Sequence, residues 1–192
     1  MRFLNSQGMV NEGLRILIAS EVDIPGWVLD NVLRQFRRYV AVDYVKLDLK
    51  DIKEASMNVK RGQLNAEIVL RLLEDRVEGY DYDRVVFVID GDGYVEGLNF
   101  VFGIARIYGK VALVFTHRLK ANDEYKYFTR LVKEINHELG HTLGLNHCPN
   151  PRCVMRFSNS VLEVDFKGID FCNSCSAKVL RAVAERLRTN PK

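Results

Sequence analysis

The segment His137-Glu-Leu-Gly-His141-Thr-Leu-Gly-Leu-Asn-His147 constrains this chain more than any other. It holds three of the four histidines, and Cys148, one of only four cysteines, follows at once. On a helix, His137 and His141 stand four residues apart and point the same way. Two imidazole nitrogens on a rigid helix form half of a zinc site. Glu138 lies about 100° further around the helix, where it reaches a metal-bound water without occupying the metal. The pattern His-Glu-x-x-His thus carries two ligands and a general base. Gly144 then lets the chain turn back so that His147 approaches as a third ligand. A side chain at 144 would cost about 1–2 kcal/mol if the turn is left-handed. Three neutral histidines leave a fourth position for water, which marks a catalytic rather than a structural zinc. Two histidines and a glutamate can share a helix by chance, but the long form ending at His147 is far more restrictive.

The segment also demands a helix leading into it. Phe128, Leu131, Ile135, Leu139 and Leu143 fall on or near one stripe from about Glu124 onward, and Gly144 can stop that helix.

Cys148 is adjacent to His147, and neighbours in an extended segment point to opposite sides. One ion cannot easily take both, so two separate sites are expected. Cys148 and Cys153 form one hook, Cys172 and Cys175 another. The spacing is that of a closed tetrahedral four-cysteine zinc site with a structural role, pinning segment 148–175. Two disulfides, four free thiols or an iron–sulfur cluster are the alternatives. The cofactor expectation is therefore two zinc ions per chain, one catalytic and one structural.

Composition bounds the context. Among 192 residues, 28 are basic and 25 acidic, for a net charge of +3. That balance is too even to point to nucleic acid or an anionic membrane. No run of 18 apolar residues would span a bilayer. The start, MRFLNSQGMVNEG, is polar and lacks the form of a secretory signal. It reads as a mobile tail, with Met9 as an alternative start. A cytoplasmic location follows, where cysteines are usually reduced. A monomer is the favoured oligomeric state.

Along the chain, Leu14–Ala19 and Arg84–Ile89 are unbroken apolar runs that predict central strands. The spacing of Trp27, Val28, Val32, Leu33 and Phe36 predicts a helix near 25–38. Alternation over Ala41–Leu49 predicts a strand with one wetter face. A polar stretch follows, then a second helical pattern at Leu64, Ile68, Leu72, Leu73 and Val77. Asn99–Gly103 and Val111–Thr116 predict two more strands, joined around Tyr108-Gly-Lys110. The order βαβαβ with further strands makes this an α/β (α+β) chain over a mainly parallel sheet, with one antiparallel member late in the order. The last 48 residues read as irregular except for a C-terminal amphipathic helix. There Val179, Leu180, Val183 and Leu187 are expected to pack, while Lys178, Arg181, Glu185 and Arg186 face water. One domain over 1–192 is expected, with an upper lobe of about 10–144 and a lower lobe of about 145–192.

His137, Glu138, His141, Gly144 and His147 match the metzincin zinc-binding motif. Together with Cys148, Cys153, Cys172, Cys175 and the intervening Met155, and with Gly97-Leu-Asn-Phe-Val-Phe-Gly103, the chain resembles the archaemetzincins. The resemblance spans residues 97–175 and implies a metzincin-like fold. That fold has an upper lobe with a mixed twisted sheet and helices, a long active-site helix, a small irregular lower lobe and a cleft between them. It makes Met155 the Met-turn methionine beneath the histidines. It lays a peptide or protein substrate along an edge strand near Asn99–Gly103, and it implies a metallopeptidase, in particular an aminopeptidase. A zinc-holding protein that captures peptides or a partner without turnover is the alternative function, and hydrolysis of a non-peptide amide is a third.

Other residues carry weaker signals. Asp90, Asp92 and Glu96 read as a solvated turn rather than a calcium loop; one of them is a candidate for holding a substrate's α-amino group. His117 reads as a surface or hydrogen-bonded histidine. Arg34, Arg37 and Arg38 read as a solvated basic face. Phe157 and Asn159, just after Met155, are candidates for lining the pocket.

Overall fold

The computed structural model describes residues 13–189; the polar start, Met9 included, lies outside them. The elements in order are β1 (Leu14–Ser20), α1 (Gly26–Asn31), β2 (Val40–Lys46), α2 (Lys50–Ser56), β3 (Met57–Asn58), β4 (Gln63–Asn65), α3 (Ala66–Arg76), β5 (Arg84–Ile89), β6 (Gly93–Tyr94), β7 (Gly103–Ala105), β8 (Val111–Phe115), α4 (Glu124–Thr142), α5 (Val161–Phe166) and α6 (Asn173–Thr189). The main sheet has the order β2-β1-β5-β8-β7. Its first four strands are parallel, and β7 pairs antiparallel with β8, Gly103 opposite Val114. A smaller sheet joins β3, β4 and β6.

Strand side chains alternate between two cores, as a pleated sheet requires. Ile16, Ile18, Val86, Val88, Ala112 and Val114 face α1 and α4. Leu17, Ala19, Val85, Phe87, Leu113 and Phe115 face α2 and α3. Both faces are covered, which explains why β1 from Ile16 to Ala19, β5 from Val85 to Ile89 and all of β8 are apolar. The first core runs on without interruption past residue 144: Cys153, Val154, Met155, Val164, Phe171 and Val179 belong to it.

Several boundaries differ from expectation for identifiable reasons. The single helix expected near 25–38 is broken into α1 and a 3-10 segment, Arg34–Tyr39. Between them Leu33 takes φ +46, and its N–H donates to Asn136 Oδ1 on α4. A tertiary acceptor therefore wins over helix continuation. The second strand ends at Lys46, and Leu47–Leu49 turn into α2, a helix within what reads as a polar stretch. The helical pattern that includes Leu64 begins later, because Leu64 pairs in β4 and Asn65 caps α3 through Glu67 N and Ile68 N. Leu180 is 44% exposed rather than packed, and the Leu187 side chain lies outside the described residues. In the lower segment α5 replaces part of the expected irregular chain; a Ser160/Glu163 capping box starts it.

Candidate metal centre

Asp123 opens α4 by accepting the Tyr125 N–H. From Leu131 to Thr142 every residue of α4 is buried, so this helix crosses the protein rather than riding its surface. It ends in a Schellman turn. Gly144 N donates to His141 O and Leu145 N to Gly140 O, with Gly144 at φ +88. A Cβ there would stand 2.2 Å from the Tyr108 ring as well as straining the backbone. The reversal carries His147 back beside its two partners.

The ligand nitrogens of His137, His141 and His147 all lie within 4.8 Å of one another. His137 Nε2 and His141 Nε2 are 3.2 Å apart. Two nitrogens bound tetrahedrally at about 2.1 Å from one ion would be about 3.4 Å apart, so the spacing fits a shared zinc. The far ring nitrogens are held: His137 Nδ1 by Val154 O at 2.8 Å, His141 Nδ1 by Leu145 O at 2.7 Å. A proton on each Nδ1 satisfies those carbonyls and leaves Nε2 as a lone-pair donor to metal. Burial, then the nearby Lys167 and His141 charges, lowers the His137 pKa well below the ordinary value, and burial also lowers those of His141 and His147. All three rings therefore favour the neutral form a cation needs.

Met155 is buried and packs against α4 at Gly140. A Cβ on Gly140 would stand 2.2 Å from Met155 Sδ, so the bare helix backbone at 140 makes room for the methionine. Glu138 is 4% exposed, and burial followed by the neighbouring Glu134 carboxylate raises its pKa well above the usual range. A divalent cation beside it acts in the opposite direction and restores the carboxylate. The Glu138 side chain lies against Gly103 of β7: a Cβ at 103 would come within 2.6 Å of Glu138 Oε1 and 2.5 Å of Leu113 O.

The four cysteines converge in one tetrad rather than two bonded pairs. Their sulfurs lie within 4.8 Å of one another, with Cys148 and Cys172 at 3.8 Å, and all four are free of disulfides. The segment is folded around them. Cys148 N donates to Met155 O, Val154 N to Asp170 O, and Cys172 N to Cys153 Sγ. Burial raises the Cys153 and Cys175 pKa values. Burial also acts upward on Cys172, but the Cys175 amide and the surrounding sulfurs outweigh it and bring that thiol to about 7. Buried thiolates this close repel one another unless a cation sits among them, so the donor set fits a metal.

A cleft of about 460 Å³ opens over the histidines, between the 98–105 segment, α4 and residues 157–159. Phe157 and Asn159 do line it, and the Phe157 ring lies 4.9 Å from that of His147. The edge strand sits later than expected. Asn99 O is occupied by Arg61 and Gln63, and Val101 N by Gly93 O, so β7 at Gly103–Ala105 is the strand with a free edge. The Asp90-to-Glu96 turn lies away from the histidines. Asp90 binds Lys120 and Thr116, while Asp92 binds Arg118 bidentately and Gln63. These acids join neither metal cluster among the described residues. His117 is exposed and outside both clusters. Arg34 is more than a solvated charge: it pairs with Asp170 and ties the 34–39 turn to the lower segment, while Arg37 pairs with Asp30.

Two site residues escape motif reading. Glu134, one turn before His137, and Lys167, thirty residues later, are each buried and form an ion pair at 2.9 Å. Glu134 could have been found, since it lies on the helical stripe of His137 and Glu138. Lys167 carries no signal, because only the folded lower segment brings it to α4.

Among the described residues no helix is long and apolar enough to cross a membrane. A model of peptidase family M54 matches residues 15–181. An archaemetzincin of Saccharolobus solfataricus is 38% identical over 173 residues, covering 86% of this chain and 93% of that protein. One of Aeropyrum pernix is 42% identical over 172 residues with the same coverage. The crystal structure of archaemetzincin from Methanopyrus kandleri superposes with a TM-score of 0.78 at 36% identity, covering 93% of this chain and 99% of that one. That from Archaeoglobus fulgidus, complexed with malonate, gives 0.69 at 34% identity, covering 86% and 99%.

Proposed function

This chain belongs to peptidase family M54, the archaemetzincins, a family of zinc metallopeptidases, and from that premise we propose that it hydrolyses peptide bonds with Glu138 as general base. His137, His141 and His147 would hold the catalytic zinc, Met155 would form its floor, and Cys148, Cys153, Cys172 and Cys175 would hold a second, structural zinc. The observation that carries this reading is the convergence of three histidine nitrogens within 4.8 Å, with the Glu138 carboxylate buried beside them in an open cleft.

Zinc, when bound, supplies Lewis acidity, lowering the pKa of water toward about 7 and polarising a carbonyl. The chain supplies the rest. The free edge of β7 receives the substrate backbone as an added strand and sets the scissile carbonyl beside the histidines. Glu138 accepts the proton of the attacking water and returns it to the departing amine. Val154 O and Leu145 O hold two imidazoles in the productive tautomer and orientation. A reduced tetrathiolate site supports a reducing compartment such as the cytoplasm.

The aminopeptidase reading rests on family likeness and requires a carboxylate for the substrate's α-ammonium group. Of the candidates Asp90, Asp92 and Glu96, Asp90 is committed to Lys120 and Thr116 and Asp92 to Arg118 and Gln63, and both line a different cavity. Cleavage within an extended peptide is therefore the reading favoured here, and a product map from a diverse peptide mixture separates the two. The decisive experiment compares wild type with Glu138→Gln at full zinc content. Loss of about 10²–10⁴-fold in rate is expected from removing a general base. Equal silence of both proteins would instead favour a zinc-holding peptide-binding protein.

A further inference from the structure

The three histidines are not held alike. His137 and His141 each hold a backbone carbonyl at Nδ1, Val154 O and Leu145 O. His147 is exposed, and among the described residues its ring hydrogen-bonds no other part of the chain. A metal-bound histidine ordinarily has its second ring nitrogen held by an acceptor, which fixes the direction of the ring. Two other contacts bear on His147 instead. The Phe157 ring packs on its imidazole, with centroids 4.9 Å apart and planes at 54°. Tyr108, on the hairpin between β7 and β8, acts on the turn that delivers it. Tyr108 takes φ +62, a conformation that strains any residue but glycine. The same strain at Leu33 is explained by its bond to Asn136. At Tyr108 burial explains nothing, because the residue is 74% exposed. What the side chain does there is local: its ring lies on the bare Cα of Gly144. The Tyr108 N–H also donates to His141 O, the carbonyl that accepts the Gly144 N–H.

We propose that Tyr108 and Phe157 are positioning residues for the third ligand: Tyr108 braces the turn at Gly144, and Phe157 aims the His147 imidazole in place of a hydrogen bond. The inference rests on the reading of the three histidines as a zinc site. Gly144 has no side chain of its own to restrict the reversal, and its φ of +88 belongs to a region that glycine enters and leaves freely. The Tyr108 ring supplies the missing restraint from outside the turn. Beyond Gly144 the His147 side chain is free to rotate into solvent except where the Phe157 ring stops it. A ligand that is ordered only when the ion arrives weakens binding by the entropy lost at that moment, and prior ordering by two rings removes that cost. Zinc affinity at the histidine site is therefore set in part by two aromatic residues that offer no ligand atom to the cluster.

The test reads metal binding rather than turnover. The histidine site of the full-length protein is emptied, with the cysteine tetrad left loaded, and is titrated with zinc against a competing chelator. Cobalt(II) is bound there in parallel, because its visible spectrum follows the number and geometry of its ligands. Tyr108→Gly and Phe157→Ala should each weaken zinc binding about 10- to 100-fold, the loss typical when an outer partner of a metal ligand is removed. Both should move the cobalt spectrum toward that of His147→Ala. Tyr108→Phe and Phe157→Leu, which keep bulk over Gly144 and against His147, should restore most of the affinity. The thermal midpoint with the histidine site empty separates positioning from general packing. Tyr108→Gly should leave it close to that of the parent, because the strain relieved at φ +62 offsets the freedom glycine gains in the unfolded chain. A zinc affinity equal to that of the parent in Tyr108→Gly or in Phe157→Ala overturns the proposal, as does an affinity loss matched by a fall in that midpoint. A parent protein that takes up neither ion at the histidines overturns the zinc reading instead.

Discussion

The contact between Gly103 and Glu138 is the sharpest place to perturb this protein, because it tests fold and chemistry at one atom. In Gly103→Ala the new methyl would stand 2.5 Å from Leu113 O and 2.6 and 2.7 Å from Glu138 Oε1 and Cγ. Relief to an ordinary carbon–oxygen contact of about 3.3 Å requires a shift of about 0.8 Å. Leu113 O is backbone of β8 inside the sheet, buried and fixed by its neighbours. The movement therefore falls on β7 and the Glu138 side chain. Overpacking of this kind costs about 1–3 kcal/mol, a fall in Tm of about 2–12 °C for a chain of this size. The larger effect is on rate. Displacing a reacting group by about 1 Å costs on the order of 10²-fold, and here both the proposed general base and the strand proposed to receive substrate move. The three atoms nearest the new methyl belong to Leu113 and Glu138 rather than to a histidine, so zinc content should remain that of wild type. Calorimetry, metal analysis and kcat/KM on one peptide read the three outcomes. A variant with peptidase activity within twofold of wild type, or one that loses zinc in proportion to activity, would refute the reasoning.

Three further outcomes follow from other parts of the structure. Cys172→Ser should remove the zinc proposed for the cysteine tetrad and lower stability by several kcal/mol, while a fresh metal titration still fills the histidine site; metal analysis showing two zinc ions retained would contradict the tetrad. Asn136→Leu removes an acceptor for Leu33 N–H and donors to Asn31 O and Ile169 O, and each buried group left unpaired costs about 1–3 kcal/mol, so chemical denaturation should show a loss of at least about 3 kcal/mol. In metal-free Glu138→Gln protein, burial holds the His137 and His141 imidazoles neutral with lowered pKa values, whereas the unfolded chain takes up protons on them near pH 6.5. Their contribution is thus present above about pH 6.5 and lost as pH falls through the folded values, and a urea midpoint that does not fall between about pH 7.5 and 5.5 would count against buried neutral rings.

What could be read ahead of the structure was whatever the chain encodes at short range. The spacing 137, 141, 144, 147 works through helix periodicity and a glycine turn, and α4, the Schellman reversal and the histidine convergence follow from it. The strands β1, β5 and β8 were legible for a similar reason, since both faces are buried and the central run of each is apolar. Elements whose form depends on a distant partner were read less well. The break at Leu33 exists because Asn136 offers an acceptor 103 residues away. The strand read at 99–103 lies at 103–105 because Arg61 and Gln63 capture the carbonyl of Asn99. The start of α5 is marked by Ser160 and Glu163, a capping signal of the same local kind.

The sequence alone pointed to the candidate metal chemistry: which side chains could bind, that His147 and Cys148 belong to separate clusters, and that a glutamate stands beside the first histidine. Only the tertiary structure decided the surroundings of that chemistry. It set Gly103 against Glu138, Met155 against Gly140, and Lys167 beside Glu134. The physical reason is range. A helix and a turn are specified by residues within a few positions of one another, whereas the dielectric, the packing and the ion pairs around a cleft arise from segments brought together only when the core closes.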